Sequence, residues 1–298
     1  MSFIELDSLT RRFGDVAALD GVTFGLEEGR IHGLLGRNGA GKTTLMQVVT
    51  AHRRPSSGTV RVRGEDPWEN AGVLRDVCFI REGQRYPDAF RASHALAAAR
   101  VVYDRWDQDL ADALVADFAL PVRRRIKKLS RGQFSALGVI IGLASRAPIT
   151  FFDEPYLGLD AVARHLFYDR LISDFGAHPR TIVLSTHLID EIGDLLEHVV
   201  VLDRGRVLLD ADAEALRGSA VMISGPAAAV DAACAGREVL HRTSLGSSAR
   251  AVVRATAMEV TDAGLHIEPI SLQELIVRLT QQAHTAHPAG ASEGVLSS

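Results

Sequence analysis

Cysteine is nearly absent: Cys78 and Cys234 are the only 2 in 298 residues. Two thiols exclude a disulfide framework and a Cys-rich zinc site, and they fit a reducing compartment. Long apolar runs are missing as well. No stretch approaches the ~18 consecutive apolar residues of a spanning helix. Leu137–Ala144, the most apolar helical run, is ended by Ser145 and Arg146. Glu5 and Asp7 stand where a signal peptide would need an apolar core. Neither charge sign dominates: 33 Lys and Arg face 37 Asp and Glu, a net charge of −4. That balance speaks against a nucleic-acid coat or a basic membrane binder. Internal repeats and sustained heptads are absent too. What is present is globular material, 47% apolar and 23% charged, able to sustain a substantial core. At ~150 residues per domain the length suggests about two domains, in a chain expected to be soluble.

Up to about residue 218, apolar strand-like runs alternate with helical segments, as in an α/β domain. Ile31–Leu35 reads as a strand and Lys42–Ala51 as the helix after it. Thr59–Arg63 and Val77–Ile80 read as short strands, and Ser93–Val102, Gln108–Phe118 and Arg131–Ala144 as helices. Ile149–Phe152, Thr181–Ser185 and Val199–Leu202 suit a buried central sheet. Asp203, Arg204 and Gly205 suggest a hairpin turn into Val207–Leu209. Past Gly218 the texture changes. Gly225–Gly236 is rich in Ala and small residues, weak strands follow at Glu238–His241 and Ala251–Arg254, and Leu272–Thr280 is an amphipathic helix. This predicts a small α+β unit over 219–283. The Ala, Gly, Ser and Pro tail over 284–298 is expected to be mobile.

The strongest chemical signal is Gly36-Arg37-Asn38-Gly39-Ala40-Gly41-Lys42-Thr43, a P-loop pattern of Gly, four residues and Gly-Lys-Thr. A triphosphate needs many short donors around it. Glycines let the backbone turn tightly and bring its N–H groups close, and the helix that follows aims its N-terminus at the same anion. The cradle so read comprises Gly36, Asn38, Gly39, Ala40, Gly41, Lys42, Thr43 and Thr44. Lys42 reaches the β- and γ-phosphates, and Thr43 offers its hydroxyl to Mg²⁺. Ile149-Thr150-Phe151-Phe152-Asp153-Glu154 is the natural partner. An apolar strand ending in a carboxylate places Asp153 beside Mg²⁺, directly or through water. Glu154 can polarise a water for in-line attack on the γ-phosphate. Two acids capping a strand end would look the same without the P-loop.

With four more motifs in order, these residues resemble the nucleotide-binding subunit of ABC transporters over about residues 3–218. Leu129-Ser130-Arg131-Gly132-Gln133 resembles the family's signature motif, Phe13 its adenine-stacking aromatic, Gly158-Leu159-Asp160 its dimer-contacting loop and His187 its switch histidine. The resemblance implies a P-loop ATPase fold. Its parts are a mostly parallel core sheet, an antiparallel β subdomain and a helical subdomain at about 84–145. It also implies that Ser130, Arg131, Gly132 and Gln133 close over ATP held by a second ATPase subunit. His187 would contact the γ-phosphate and help hold Glu154 and water, making Lys42, Glu154 and His187 the catalytic set. A hydroxyl and a helix N-terminus facing one anion make physical sense of the signature.

The chain departs from the pattern at two places. Where the family has Gln after the strand Val77–Ile80, direct spacing gives Glu82, with Gln84 two residues late. A carboxylate at Glu82 could face Mg²⁺ through water, and without the metal it would add unfavourable charge beside phosphates. Arg131 replaces a Gly, and either a contact with nucleotide or a solvent-facing pose would accommodate it. Ser271–Leu279 resembles the closing helix of export-branch ATPases, whose accessory unit it also follows here. The implied protein takes ATP and Mg²⁺, pairs with a second ATPase subunit and drives separately encoded membrane permeases. It sits at the cytoplasmic face of the membrane, and no nucleic-acid partner is expected. The alternative is a soluble ABC-type ATPase of DNA repair or translation. Those carry long coiled coils, zinc insertions or tandem cores, and this chain has none.

Overall fold

The computed structural model describes residues 2–256 and 264–286. It forms two units, Met1–Asp212 and Ala213–Ser298. The first begins β1 (Ile4–Phe13), β2 (Val16–Leu26), β3 (Ile31–Leu35), α1 (Lys42–Val49), β4 (Ser57–Val62), α2 (Ala71–Leu74) and β5 (Val77–Ile80). It continues with α3 (Ala92–Val102), α4 (Gln108–Asp117), α5 (Arg131–Ala144), β6 (Ile149–Asp153) and α6 (Ala161–Ala177). It ends with β7 (Thr181–Thr186), α7 (Ile189–Ile192), β8 (His198–Asp203) and β9 (Arg206–Asp212).

Every residue of β3, β6 and β7 is buried. Continuous burial is what a parallel sheet covered on both faces demands of its strands. These strands are the middle of a six-stranded sheet in the order β5-β6-β7-β3-β8-β9, in which β9 alone runs antiparallel. The register pairs Asp153 with Ser185 and Leu35 with Thr186, so three strands deliver their carboxyl ends to one edge. In open α/β sheets that edge is where ligands bind. A second, antiparallel sheet, β2-β1-β4, carries alternating burial on β1 instead. The two sheets share one core in which Leu45, Met46 and Val48 of α1 meet Ile4, Phe24, Phe151 and Val183. Helix α1 stops at Val49, two residues short of the sequence expectation. The hairpin between β8 and β9 turns on Arg204 and Gly205, both at positive φ.

The second unit holds α8 (Ala213–Leu216), β10 (Val221–Pro226), α9 (Ala227–Cys234), β11 (Val239–Leu245), β12 (Ser248–Val253), β13 (His266–Pro269) and α10 (Leu272–Ala286). Its strands form an antiparallel sheet in the order β11-β12-β10-β13, around Val221, Ile223, Val230, Ala251 and Val253. The Ala-rich stretch is helix α9. Of the tail predicted to be mobile, residues 284–286 continue α10, and 287–298 lie outside the described residues. Among the described residues no helix is long and apolar enough to cross a membrane.

One polar pair lies under the sheet. His32 on β3 is 1% exposed, with Nε2 2.9 Å from the Glu27 carbonyl and Nδ1 3.2 Å from Nδ1 of His198. Burial pushes His32 down to about 4. The fold therefore keeps His32 neutral while the unfolded chain takes up its proton first on acidification. The stability this contributes is complete above the ordinary value of 6.5 and is lost as pH falls from there toward 4. Thermal unfolding across that window should show the loss, and His32→Gln should flatten it. An unchanged slope in the variant would contradict this account of the buried imidazole.

Candidate active site

After Leu35 the chain enters a loop that side chains would block. A Cβ on Gly41, at φ +109, would stand 2.6 Å from the Ala18 carbonyl. The loop is pinned from outside. Gly205 N–H donates to the Ala40 carbonyl at 2.9 Å, and Asp20 N–H to the Gly205 carbonyl at 2.8 Å. Inside it lies Lys42, 5% exposed, whose Nζ donates to the Gly36 carbonyl at 2.7 Å and approaches the Arg37 carbonyl at 3.4 Å. The same ammonium is 3.3 Å from Oε1 of Glu154. Helix α1 starts at Lys42, so its unpaired first N–H groups belong to this loop.

Opposite stand the ends of β6 and β7. Ser185 Oγ donates to Asp153 Oδ1 at 2.7 Å and accepts from Glu154 N–H at 3.0 Å. Burial pushes the Asp153 carboxyl above its ordinary range. Hydrogen bonds from Ser185 and Thr43 and the charge of Lys42 act the other way. Glu154 is buried and has φ +49, a left-handed conformation that costs a non-glycine residue about 1–3 kcal/mol. Its Oε2 accepts from the Tyr156 hydroxyl and lies 2.9 Å from His187 Nδ1. Among the described residues its buried Oε1 has no hydrogen-bond partner, and it lies 3.3 Å from Lys42 Nζ.

Helix α5 closes a third side. Ser130 caps it, accepting from Gln133 N–H at 3.2 Å, while the Gln133 side chain accepts from Ser130 N–H at 3.2 Å. A Cβ on Gly132 would lie 2.7 Å from the Gly158 carbonyl, so this helix start and the loop after β6 touch backbone to backbone. Ser135 Oγ adds a hydrogen bond to the Leu157 carbonyl. Between helix and acids is a cavity of about 490 Å³ walled by Glu82, Gln84, Arg131, Phe134, Asp153 and Glu154.

The chain has relatives among known proteins. The family model described as ABC transporter matches residues 19–157. The daunorubicin resistance ATP-binding protein DrrA3 of Streptomyces coeruleorubidus is 32% identical over 226 residues, covering 72% of this chain and 69% of the relative. A Nod factor export ATP-binding protein of Burkholderia orbicola is 31% identical over 221 residues, covering 72% of each. A solved structure of an ATP-binding subunit of an ABC transporter superposes with TM-score 0.64 at 22% identity, over 72% of this chain and 92% of that one. The chain belongs to the ABC transporter ATP-binding family. It is an ATP-binding ABC ATPase, and this membership favours a transporter subunit over the soluble alternative.

The ABC ATPase brings together Lys42, Thr43, Asp153, Glu154 and His187 from three separate stretches of chain. Glu82 and Gln84 both face the cavity beside the acids. Two other sequence-predicted residues have contacts within the chain. Asp160 accepts from Ala163 N–H at 2.9 Å as the N-cap of α6. Phe13, 40% exposed next to the β1–β2 turn, has the guanidiniums of Arg11 and Arg53 over its ring at 4.8 and 5.0 Å. Ser185, Thr186 and Tyr156 were not picked out from sequence. Their signal was present: two hydroxyls closing an apolar strand, and a phenol two residues after the second acid. Ser185→Ala would leave the buried Glu154 N–H unpaired, at a cost of about 1–3 kcal/mol. Denaturant unfolding should register that loss, and a variant as stable as the parent would refute the linking role of this hydroxyl.

Proposed function

We propose that this ABC ATPase hydrolyses ATP·Mg²⁺ at an interface with a second ATPase subunit, a copy or a relative, and so powers separately encoded membrane permeases in export. The observation that carries this reading is the buried convergence of Lys42 and Glu154, with Oε1 of Glu154 lacking a hydrogen-bond partner beside the ammonium. Backbone N–H groups of Gly36, Asn38, Gly39, Ala40 and Gly41, with Thr44, wrap the phosphates, and Lys42 moves from the Gly36 carbonyl to the β- and γ-oxygens. Phe13 stacks on adenine once its arginines part.

Mg²⁺ fits the residues present. Thr43 and Asp153 already share a hydrogen bond, and both are oxygen donors. No group of three His, Cys, Asp or Glu gathers around a metal among the described residues. Mg²⁺ is a hard cation that is held by one or two carboxylates and keeps several waters. Glu82 approaches it through water. When bound, the ion neutralises charge on the β- and γ-oxygens. Glu154 Oε1 takes a proton from the attacking water as its oxygen bonds to the γ-phosphorus. The bond to the β,γ-bridging oxygen breaks, and its electron pair leaves with ADP. His187 holds Glu154 and contacts the γ-phosphate. Ser130, Arg131, Gly132, Gln133 and Asp160 complete the nucleotide site of the opposite subunit.

Export is supported by relatives whose names carry drug resistance or Nod factor export. On this reading residues 1–218 are the ATP-binding domain and 219–283 an accessory unit. The subunit works at the cytoplasmic face of the membrane, held there by its permeases. Glu154→Gln keeps the size of the side chain and removes the base. It should bind ATP as the parent does and lose most turnover, by about 100-fold or more. Phosphate release at the parent rate would show that Glu154 is not the base.

A further inference from the structure

We propose that Tyr156 is a positioning residue for hydrolysis, fixing Glu154 and His187 through its hydroxyl; this rests on the reading of Glu154 as the base. Tyr156 is 3% exposed, and its ring meets that of His187 edge to face at 5.7 Å. A phenol hydroxyl has one proton to give and two lone pairs. Here all three are used. The hydroxyl donates to Glu154 Oε2 and accepts from Thr186 Oγ1 at 3.0 Å and from His187 N–H at 3.1 Å. Because the phenol proton goes to Glu154, Thr186 Oγ1 is the donor of this pair, and it also accepts from Leu188 N–H at 2.8 Å.

With the phenol saturated, His187 Nδ1 has one partner left for its proton. It lies 3.0 Å from the phenol oxygen and 2.9 Å from Glu154 Oε2, and the carboxylate takes it. Hydrogen-bond counting thus places a proton on Nδ1. Both donors land on the same carboxylate oxygen. Oε2 is tied by Tyr156 and His187, which leaves Oε1, 3.3 Å from Lys42, as the oxygen available to a water. The phenol therefore decides which oxygen of the base works. It also ties the switch histidine to the end of β7 through Thr186. Phenylalanine would fill the same space and could do neither.

The test is Mg·ATP hydrolysis by the purified full chain carrying Tyr156→Phe, with thermal unfolding followed on the same preparation. The expected result is a fall in kcat of about 10- to 100-fold, as for a misplaced catalytic group, with KM for ATP within about twofold of the parent. Parental kcat in a folded Tyr156→Phe variant overturns the proposal, and so does a KM that rises in step with the loss of kcat. Thr186→Val keeps the shape and removes the donor to the phenol. It should lower kcat in the same direction by a smaller factor with KM unchanged, and it decides the matter alone if Tyr156→Phe does not fold. Glu154→Gln run in parallel separates the two readings. A dead Glu154→Gln beside an unimpaired Tyr156→Phe removes only the role of Tyr156, whereas parental turnover in Glu154→Gln removes both.

Discussion

Lys42 and Glu154 lie with side chains 6% and 9% exposed and their charges 3.3 Å apart. Neither charge tolerates such burial alone, because the interior repays desolvation only when the partner and the remaining hydrogen bonds are in place. Much of the surrounding structure supplies those conditions. The Gly36 and Arg37 carbonyls receive the ammonium, and Tyr156 and His187 hold the carboxylate. The parallel sheet brings the two ends together, because β3 precedes Lys42 while β6 and β7 precede Glu154 and His187. On the proposed reading, a triphosphate would offer Lys42 a stronger set of oxygens and free Glu154 Oε1 for water.

The signature helix is joined to this machinery by contact rather than charge. Gly132 and Gly158 permit backbone to meet backbone, and Ser135 ties α5 to Leu157. Helix α5 and the loop that begins at Glu154 are therefore in direct contact. Arg131, the departure from the family pattern, starts α5 on the cavity wall beside Glu82, Asp153 and Glu154.

Much of this was legible in the sequence because backbone constraints leave residue-level marks. Gly36 and Gly41 beside Lys42 are required by close approach, and β3, β6 and β7 announced themselves as unbroken apolar runs. The first hairpin was harder to read, since β1 carries Glu5, Asp7, Arg11 and Arg12 and its register against β2 shifts repeatedly. Helix α9 was hidden in an Ala-rich stretch with one fully buried side chain, Val230. Tyr156, Thr186 and Ser185 carry no spacing rule at all. They matter through hydrogen bonds between elements distant in sequence, which only the fold brings into range. Phe13 shows the converse: a motif position can be recognised while its ring contacts, Arg11 and Arg53, stay invisible until the loops are placed.

The central claim is that the loop around Lys42 is a nucleotide cradle whose affinity depends on that buried ammonium. Calorimetric titration of Mg·ATP into the parent chain and into Lys42→Ala tests it most directly. The account predicts saturable binding by the parent below about 1 mM, and weakening by tenfold or more, about 1.4 kcal/mol, in the variant. Equal affinity in the two proteins, or no binding by the parent at millimolar nucleotide, would contradict it.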